Sequence, residues 1–398
     1  MTRPIDIMCA GHLCVDIIPR FPDTGVRDIG ELLRPGKLVD MREATISTGG
    51  PVSNTGLTMK NLGNEVAFCA RVGDDALGRL TIEILRNSGN PEGIRPVRGA
   101  ASSYTVVIAP PGIDRIFLHN TGTNDTFSGD DLDRELIARC RHFHFAYPPL
   151  MARMFADDGE TLARVFRIAK EAGATTSCDL ALPDPASPAG KAPWRSILEK
   201  ALPYVDMFLP SIEEMLYMLN PATFMRMKDE HDGAELIDFL TPPDFARIAG
   251  EVMRMGCKMV TLKAGHRGFY FKSGDAAGFE EMGAARPGDP ENWANRELWA
   301  PAFVIEELAS ATGSGDASIA GFLTAFLRGM PVEDALKTAT CCGWQNLREL
   351  DAVSGVQDWD STLAFLAEEM PVMPVRLDAG GWREGSAGLW HGPDDTGE

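Results

Sequence analysis

The stretch RHFHFAYPPLMARMFADDGETLARVFRIAKEAGATTSCDLAL, residues 141–182, reads as strand, helix, strand. RHFHFAY (141–147) alternates polar and aromatic side chains with the period of two expected of a strand. ETLARVFRIAKEAG (160–173) repeats apolar residues at helical spacing and closes on glycine. ATTSCDLAL (174–182) is β-rich again. Two strands joined through a helix run parallel and cross over right-handed.

The same alternation extends both ways. Downstream come a helix near 193–202, the strand VDMFLP (205–210), the helices IEEMLYML (212–219) and DFARIAGEVMRMG (244–256), and the strand KMVTLKAG (258–265). Upstream lie the strands IDIMCAG (5–11) and VDII (15–18), the helix PVSNTGLTMKNLG (51–63) with proline at its start and glycine at its end, the strand EVAFCARVG (65–73) and the amphipathic helix ALGRLTIEILRNSG (76–89). The predicted fold class is α/β: a mostly parallel sheet with helices on both faces, binding ligands at the carboxyl ends of its strands.

Three stretches break the pattern. Residues 20–47 are polar with little helical periodicity, and YTVVIAP (104–110) and DRIFLHN (114–120) flank Pro110-Pro111-Gly112 as a hairpin. Together they predict a small β-lid over the sheet edge. Residues 273–300 read as an insertion in a strand connection. Residues 1–375 are expected to form one domain, and 376–398 a tail that is extended unless Trp382 or Trp390 packs on a neighbour.

The 398 residues are 44% hydrophobic and 24% charged, enough to bury a large core. A net charge of −19 argues against nucleic acid or an anionic membrane as the main partner. No apolar run reaches membrane-spanning length and the first residues do not form a signal peptide pattern, so a cytoplasmic location is expected. The eight cysteines form no CxxC pair with histidine support, and they read as buried small hydrophobes in a reducing compartment rather than as metal ligands or disulfides.

The chemistry concentrates in ATGSGDASIAGFLTAFL, residues 311–327. The turn Thr312-Gly313-Ser314-Gly315 opens a helix, so its amides form an anion site, and Asp316 follows at once. Two anions side by side repel. The acid is useful there if it takes a proton from a hydroxyl that attacks phosphorus. Ordinary helix capping explains the same segment about equally well by itself. A Walker A loop would need Gly-Lys-Ser/Thr, and a dinucleotide fingerprint would need glycine where Ser318 stands. Elsewhere Asp16 reads as a strand residue, and Glu213 and Glu214 as acids favoured at a helix start. His142 and His144 read as satisfied core histidines, and His119, Asn120 and Asn124 as lid contacts or a solvated turn. Arg115 faces an anionic group or solvent, and Trp293 and Trp299 cover a nucleotide or pack on the sheet.

Three motifs then line up: STGGPVSNTGLTMKNLGNEVAFCARVGDDALGR (47–79), PSIEEM (210–215), and ATGSGDA (311–317) after the strand-like PAFVIEEL (301–308). Their order and spacing resemble the ribokinase-like (PfkB) sugar kinase family over roughly residues 5–370. The resemblance implies a three-layer α/β/α fold with a β-lid and ATP- and Mg²⁺-dependent phosphorylation of a hydroxyl, a primary one, on a small sugar or polyol. It implies that Asp316 is the base and Gly313, Ser314 and Gly315 the anion hole. Asp16, Gly49, Gly50 and Asn54 match the sugar-binding positions. Glu214 matches the residue that orders Mg²⁺ through water. Ser211, Lys263, Gly265 and Gly268 match the nucleotide side. A nucleoside, a sugar phosphate (Arg20, Arg27, Arg34 and Arg42 lie in the lid region) and a non-catalytic binding role stay open as alternatives, and open lid edges suggest a homodimer.

There are departures. Ser310 and Ala311 replace the family's Asp-Thr, leaving a monovalent cation beside the anion hole unsupported. Ser211 replaces the Asn of Asn-x-x-Glu, and Pro51 stands where ribokinases carry Lys. SCDLALPDP (177–185) lacks the Asn and Arg of the family's Asp-x-Asn-x-Arg stretch.

Overall fold

The computed structural model describes residues 3–397 apart from 24, 27, 114, 115, 369, 376, 378, 379, 386 and 387. Its strands are β1 (Ile5–Gly11), β2 (Cys14–Pro19), β3 (Ala44–Gly49), β4 (Val66–Gly73), β5 (Asn90–Val97), β6 (Tyr104–Ile108), β7 (Ile116–Asn120), β8 (Cys140–Ala146), β9 (Thr175–Asp179), β10 (Met207–Phe208), β11 (Met259–Lys263), β12 (Phe269–Ser273), β13 (Glu297–Ala300), β14 (Arg383–Glu384) and β15 (Trp390–His391). Eleven of them form one sheet in the order β14-β15-β13-β12-β11-β10-β9-β8-β1-β4-β5, and β3-β2-β6-β7 form the lid. From β5 to β11 every pairing is parallel; β12, β13, β15 and β14 add an antiparallel flank. The fold is the expected α/β one, a large mostly parallel sheet with a four-stranded lid.

Alternation within the strands splits the interior into two cores, one on each face of the sheet. On β8, Phe143 and Phe145 pack against Phe166 of the helix Glu160–Glu171. His142 and His144 point to the other face, where both reach the Ser177 hydroxyl at 2.7 and 2.8 Å. They are the buried histidines the alternation predicts. On that second face the helix Pro51–Asn61 packs against β1, β4 and the helix Ser314–Leu327.

The lid differs in detail from the sequence reading. Its inner strands are β2 and β6, and residues 20–43 are mostly loop with one short helix, Ile29–Leu32. Register fixes its two faces. Ser47, Asp16, Thr105 and His119 pair across the four strands in one row, and Ile46, Ile17, Val106 and Leu118 pair in the next. Adjacent rows point to opposite faces. One face is polar and the other apolar.

Residues 274–296 join β12 to β13 and contain two short helices, Ala276–Phe279 and Pro290–Trp293. Trp293 packs against Phe271, Phe322 and Phe326 inside one core. Trp299, on β13, packs against Phe245 and Tyr270. Both tryptophans are therefore sheet packing. Beyond residue 376, β14 and β15 extend the sheet past β13, and Trp382 packs on Trp299 and Tyr270. Among the described residues no helix is long and apolar enough to cross a membrane.

Candidate active site

Five adjacent parallel strands end at one place. In sheet order, β11 delivers Lys263, β10 leads into Ser211 and Glu214, β9 ends on Asp179, β8 is followed by Tyr147, and β1 by His12. The chain order of strands reverses between β8 and β1, and a crevice at the carboxyl ends beside such a reversal is where open α/β sheets bind ligands. Two glycine-led helices close over it. Gly50, at φ +81°, precedes the helix Pro51–Asn61, and Gly313, at φ +78°, precedes the helix Ser314–Leu327.

Asp316 sits in the first turn of the second helix and is 2% exposed. Its Oδ2 accepts a hydrogen bond from Asn54 Nδ2 at 2.9 Å. The Tyr147 hydroxyl lies 3.2 and 3.3 Å from its two oxygens. Burial raises the Asp316 pKa above the ordinary carboxylate value, while Asn54, the Lys263 ammonium and Tyr147 pull it back. Burial also pushes the Tyr147 phenol well up, so Tyr147 stays protonated and donates to the carboxylate. The first helical hydrogen bond runs from Ala317 N to Gly313 O at 2.8 Å, which leaves the amides of Gly315 and Asp316 ahead of the ladder. Gly313 is also sterically required, since a Cβ there would lie 2.4 Å from that of Ala352. Ser310 accepts from the Thr312 amide at 3.1 Å, and Asn346 Nδ2 donates to Thr312 O at 2.8 Å, so the turn is pinned from both sides.

Lys263 reaches across the crevice. Its ammonium pairs with the Asp179 carboxylate. A Cβ placed on Gly315 would lie 3.8 Å from Lys263 Nζ, so the ammonium stands beside the anion-hole turn. Burial pulls the Lys263 pKa down, but Asp179 and Glu214 outweigh that and hold it above its ordinary value. Burial pushes the Asp179 carboxyl up, with Lys263 opposing. Asp179 is 1% exposed, and its Oδ2 has no hydrogen-bond partner among the described residues.

Ser211 and Glu214 form a capping box: Glu214 Oε2 accepts from Ser211 N at 2.7 Å, and Ser211 Oγ accepts from Glu214 N at 3.3 Å. One Glu214 oxygen stays outside that box, and Ser211 bridges to the backbone of Lys263, which sets the box beside that residue. Glu213 instead binds Lys228 at 3.2 Å and the Leu236 amide, a structural tie. Gly268 is needed by the turn after β11, where a Cβ would lie 2.0 Å from Ala300 O; Gly265, at φ +51°, opens the same turn.

On the lid side, Asp16 lies on the polar face with its carboxylate against Gly49, where a Cβ would lie 2.1 Å from Asp16 Oδ2. Burial raises the Asp16 pKa, and Cys14 and Thr105 oppose it by hydrogen bonding. Arg20, Arg34 and Arg42 are exposed, and Arg27 and Arg115 lie outside the described residues. Asn124 is buried and ties both backbone groups of Leu13, at 3.3 and 3.0 Å.

The residues from the sheet, the two helices and the lid thus gather carboxylates around the Lys263 ammonium beside an amide turn. A family model described as "pfkB family carbohydrate kinase" matches residues 5–359. The chain belongs to the pfkB family. The match to a fructokinase-1 of Zea mays is 27% identical and spans 44% of this chain and half of that protein. The match to a probable fructokinase-7 of Arabidopsis thaliana is 20% identical over 91% of this chain and 92% of the relative. Among solved structures, an Arabidopsis thaliana ribokinase complexed with ribose and ATP superimposes with a TM-score of 0.67 at 18% identity, covering 93% of this chain and all of that one. A Xylella fastidiosa fructokinase with bound ATP gives 0.66 at 17% identity, covering 92% and 98%.

Within this pfkB chain, sequence reading missed Tyr147, Asp179 and His12. Tyr147 holds a left-handed backbone, φ 62° and ψ 45°, which costs an aromatic residue about 1–3 kcal/mol and marks functional positions. Its position directly after a buried strand, before Pro148-Pro149, was the available signal.

Proposed function

We propose that this pfkB protein transfers the γ-phosphoryl group of ATP to a hydroxyl of a small sugar or polyol, with Asp316 as general base. The observation that carries this reading is the meeting of Asn54, Tyr147 and Asp316 beneath the amide turn 313–315. An acceptor hydroxyl held by Asp16 from the lid and Asn54 from the body gives its proton to an Asp316 oxygen. Raised by burial, that carboxylate is a stronger base than a solvated one. The Gly315 and Asp316 amides and the Lys263 ammonium meet the charge on the transferred group. Glu214, with one oxygen outside its capping box, suits a water of a bound Mg²⁺, and Asp179, paired with Lys263, holds that ammonium in place. When bound, Mg²⁺ neutralises phosphate charge; Ser211, Gly265 and Gly268 line its nucleotide side. ATP consumption across sugars, polyols, sugar phosphates and nucleosides tests this reading. Turnover of a neutral sugar or polyol is expected, and ligand binding without turnover of any acceptor would leave a binding protein instead.

We also infer a homodimer through the lid. Its apolar row ends in Ile46 and Leu118, which are 52% and 55% exposed.

A further inference from the structure

We propose that His12, Cys14 and His119 form a site for a zinc-class divalent cation at the seam of lid and sheet, and that this cation and the acceptor exclude one another. His12 follows β1, Cys14 opens β2, and His119 lies on β7, so the three residues belong to both bodies. One ligand atom from each lies within 4.8 Å of the other two. The two imidazoles face each other through Nε2 atoms 3.2 Å apart. Two imidazoles bound to one tetrahedral zinc at about 2.0–2.1 Å place their nitrogens about 3.3 Å apart. The facing edges are thus spaced as a shared cation would hold them.

The surroundings orient the ligands. The Thr105 hydroxyl is 3.0 Å from His119 Nδ1 and 3.6 Å from Cys14 Sγ. Accepting from Nδ1–H, it leaves the His119 Nε2 lone pair toward His12; the Cys14 thiol, which donates to Asp16 Oδ1 at 3.3 Å, releases that proton on binding the cation. Such outer partners are what fix metal-binding imidazoles. His12 fits only because residue 50 is glycine: a Cβ there would lie 2.6 Å from His12 Nδ1. Two imidazoles and a thiolate select a borderline-soft ion such as Zn²⁺ over Mg²⁺ or Ca²⁺.

Three protein ligands leave a fourth position open. Asp16 Oδ1 is 3.3 Å from Cys14 Sγ, and the His12 ring is 6.3 Å from that of Tyr147, whose hydroxyl bonds Asp316. The cation would therefore stand in the space between Asp16 and Asp316. The exclusion half of the proposal rests on the reading of that space as the acceptor pocket. The metal-binding half does not. Because His119 lies 107 residues from His12, no spacing motif announces the set.

The test uses untagged, metal-stripped protein with excess Mg²⁺ present. Titration with Co²⁺ alone should saturate at one equivalent, with a near-ultraviolet thiolate-to-cobalt band and visible bands of a tetrahedral ion. Zn²⁺ should displace it with proton release. Cys14→Ser should abolish the charge-transfer band. His119→Ala, on an exposed strand, should weaken Zn²⁺ binding at least about tenfold, roughly one lost ligand's worth of about 1.4 kcal/mol. Absence of the band, or a band unchanged in Cys14→Ser, overturns the site. Saturating acceptor, taken as the best substrate of the panel, should raise the apparent Zn²⁺ Kd; an unchanged Kd overturns the exclusion. Should no acceptor be phosphorylated, the cobalt titration still decides the site, so failure of the kinase reading and failure of this one are told apart.

Discussion

Asp316 is held by a donor on each side, Asn54 and Tyr147, and burial raises its pKa. Asp316→Asn keeps the size and the buried position but removes the proton acceptor. It should lower kcat by about 10²–10⁴-fold while nucleotide binding, followed by calorimetry, survives; near-normal turnover would end the assignment of Asp316 as base. Tyr147→Phe removes a hydrogen bond that favours the charged carboxylate. The pKa of Asp316 then rises further, so the acid limb of the kcat/KM profile should move to higher pH; a limb that stays put or moves down contradicts the role given to Tyr147. Lys263 and Asp179 form a buried pair, their side chains 12% and 1% exposed. Lys263→Met strands the Asp179 carboxylate, a loss of about 3–5 kcal/mol for a broken buried pair. In urea unfolding, adding Asp179→Asn should recover most of that stability. Activity should stay low in the double variant, because the ammonium beside Gly315 is still missing.

Among the elements, β2 carries the most consequence, since it leaves the main sheet to place Asp16 over the crevice. Gly49, at the end of β3, lets the Asp16 carboxylate lie flat against the backbone. Gly49→Ala puts a methyl group into that carboxylate, and the acceptor KM should rise at least about tenfold, the scale of one lost charged hydrogen bond. Steady-state kinetics with acceptor varied would show it; an unchanged KM separates Asp16 from the acceptor. The parallel strands and both glycine turns were legible in the sequence, because each depends on local periodicity or on a backbone only glycine tolerates. β5 was not: NPEGIRPV carries two prolines and a glycine, and it forms only because it lies at the sheet edge, where missing donors cost little. Asp179 looked like any strand-end acid until β11 brought Lys263 to it, 84 residues away. Composition alone left Glu213 and Glu214 as equal neighbours in one helical turn; the resemblance singled out Glu214, and packing ties Glu213 to Lys228 and the Leu236 amide.

For the whole molecule, the lid presents its apolar row Ile46–Ile17–Val106–Leu118 outward. Light scattering should give a dimer at micromolar concentration, and Leu118→Lys should yield monomers; a monomeric parent protein removes the lid dimer. At the far edge of the main sheet from β5, β15 and β14 cover β13. β15 pairs with the edge of β13, and Asp395, buried, holds Arg296 Nε at 2.7 Å. The next residue, Glu297, takes the Asp394 amide at 2.8 Å. Without β14 and β15, β13 would carry a bare strand edge, and Arg296 would keep Glu333, at 2.7 Å, but lose Asp395. Chains shortened before β14 would offer chaperones and other strands the β13 edge that β15 covers.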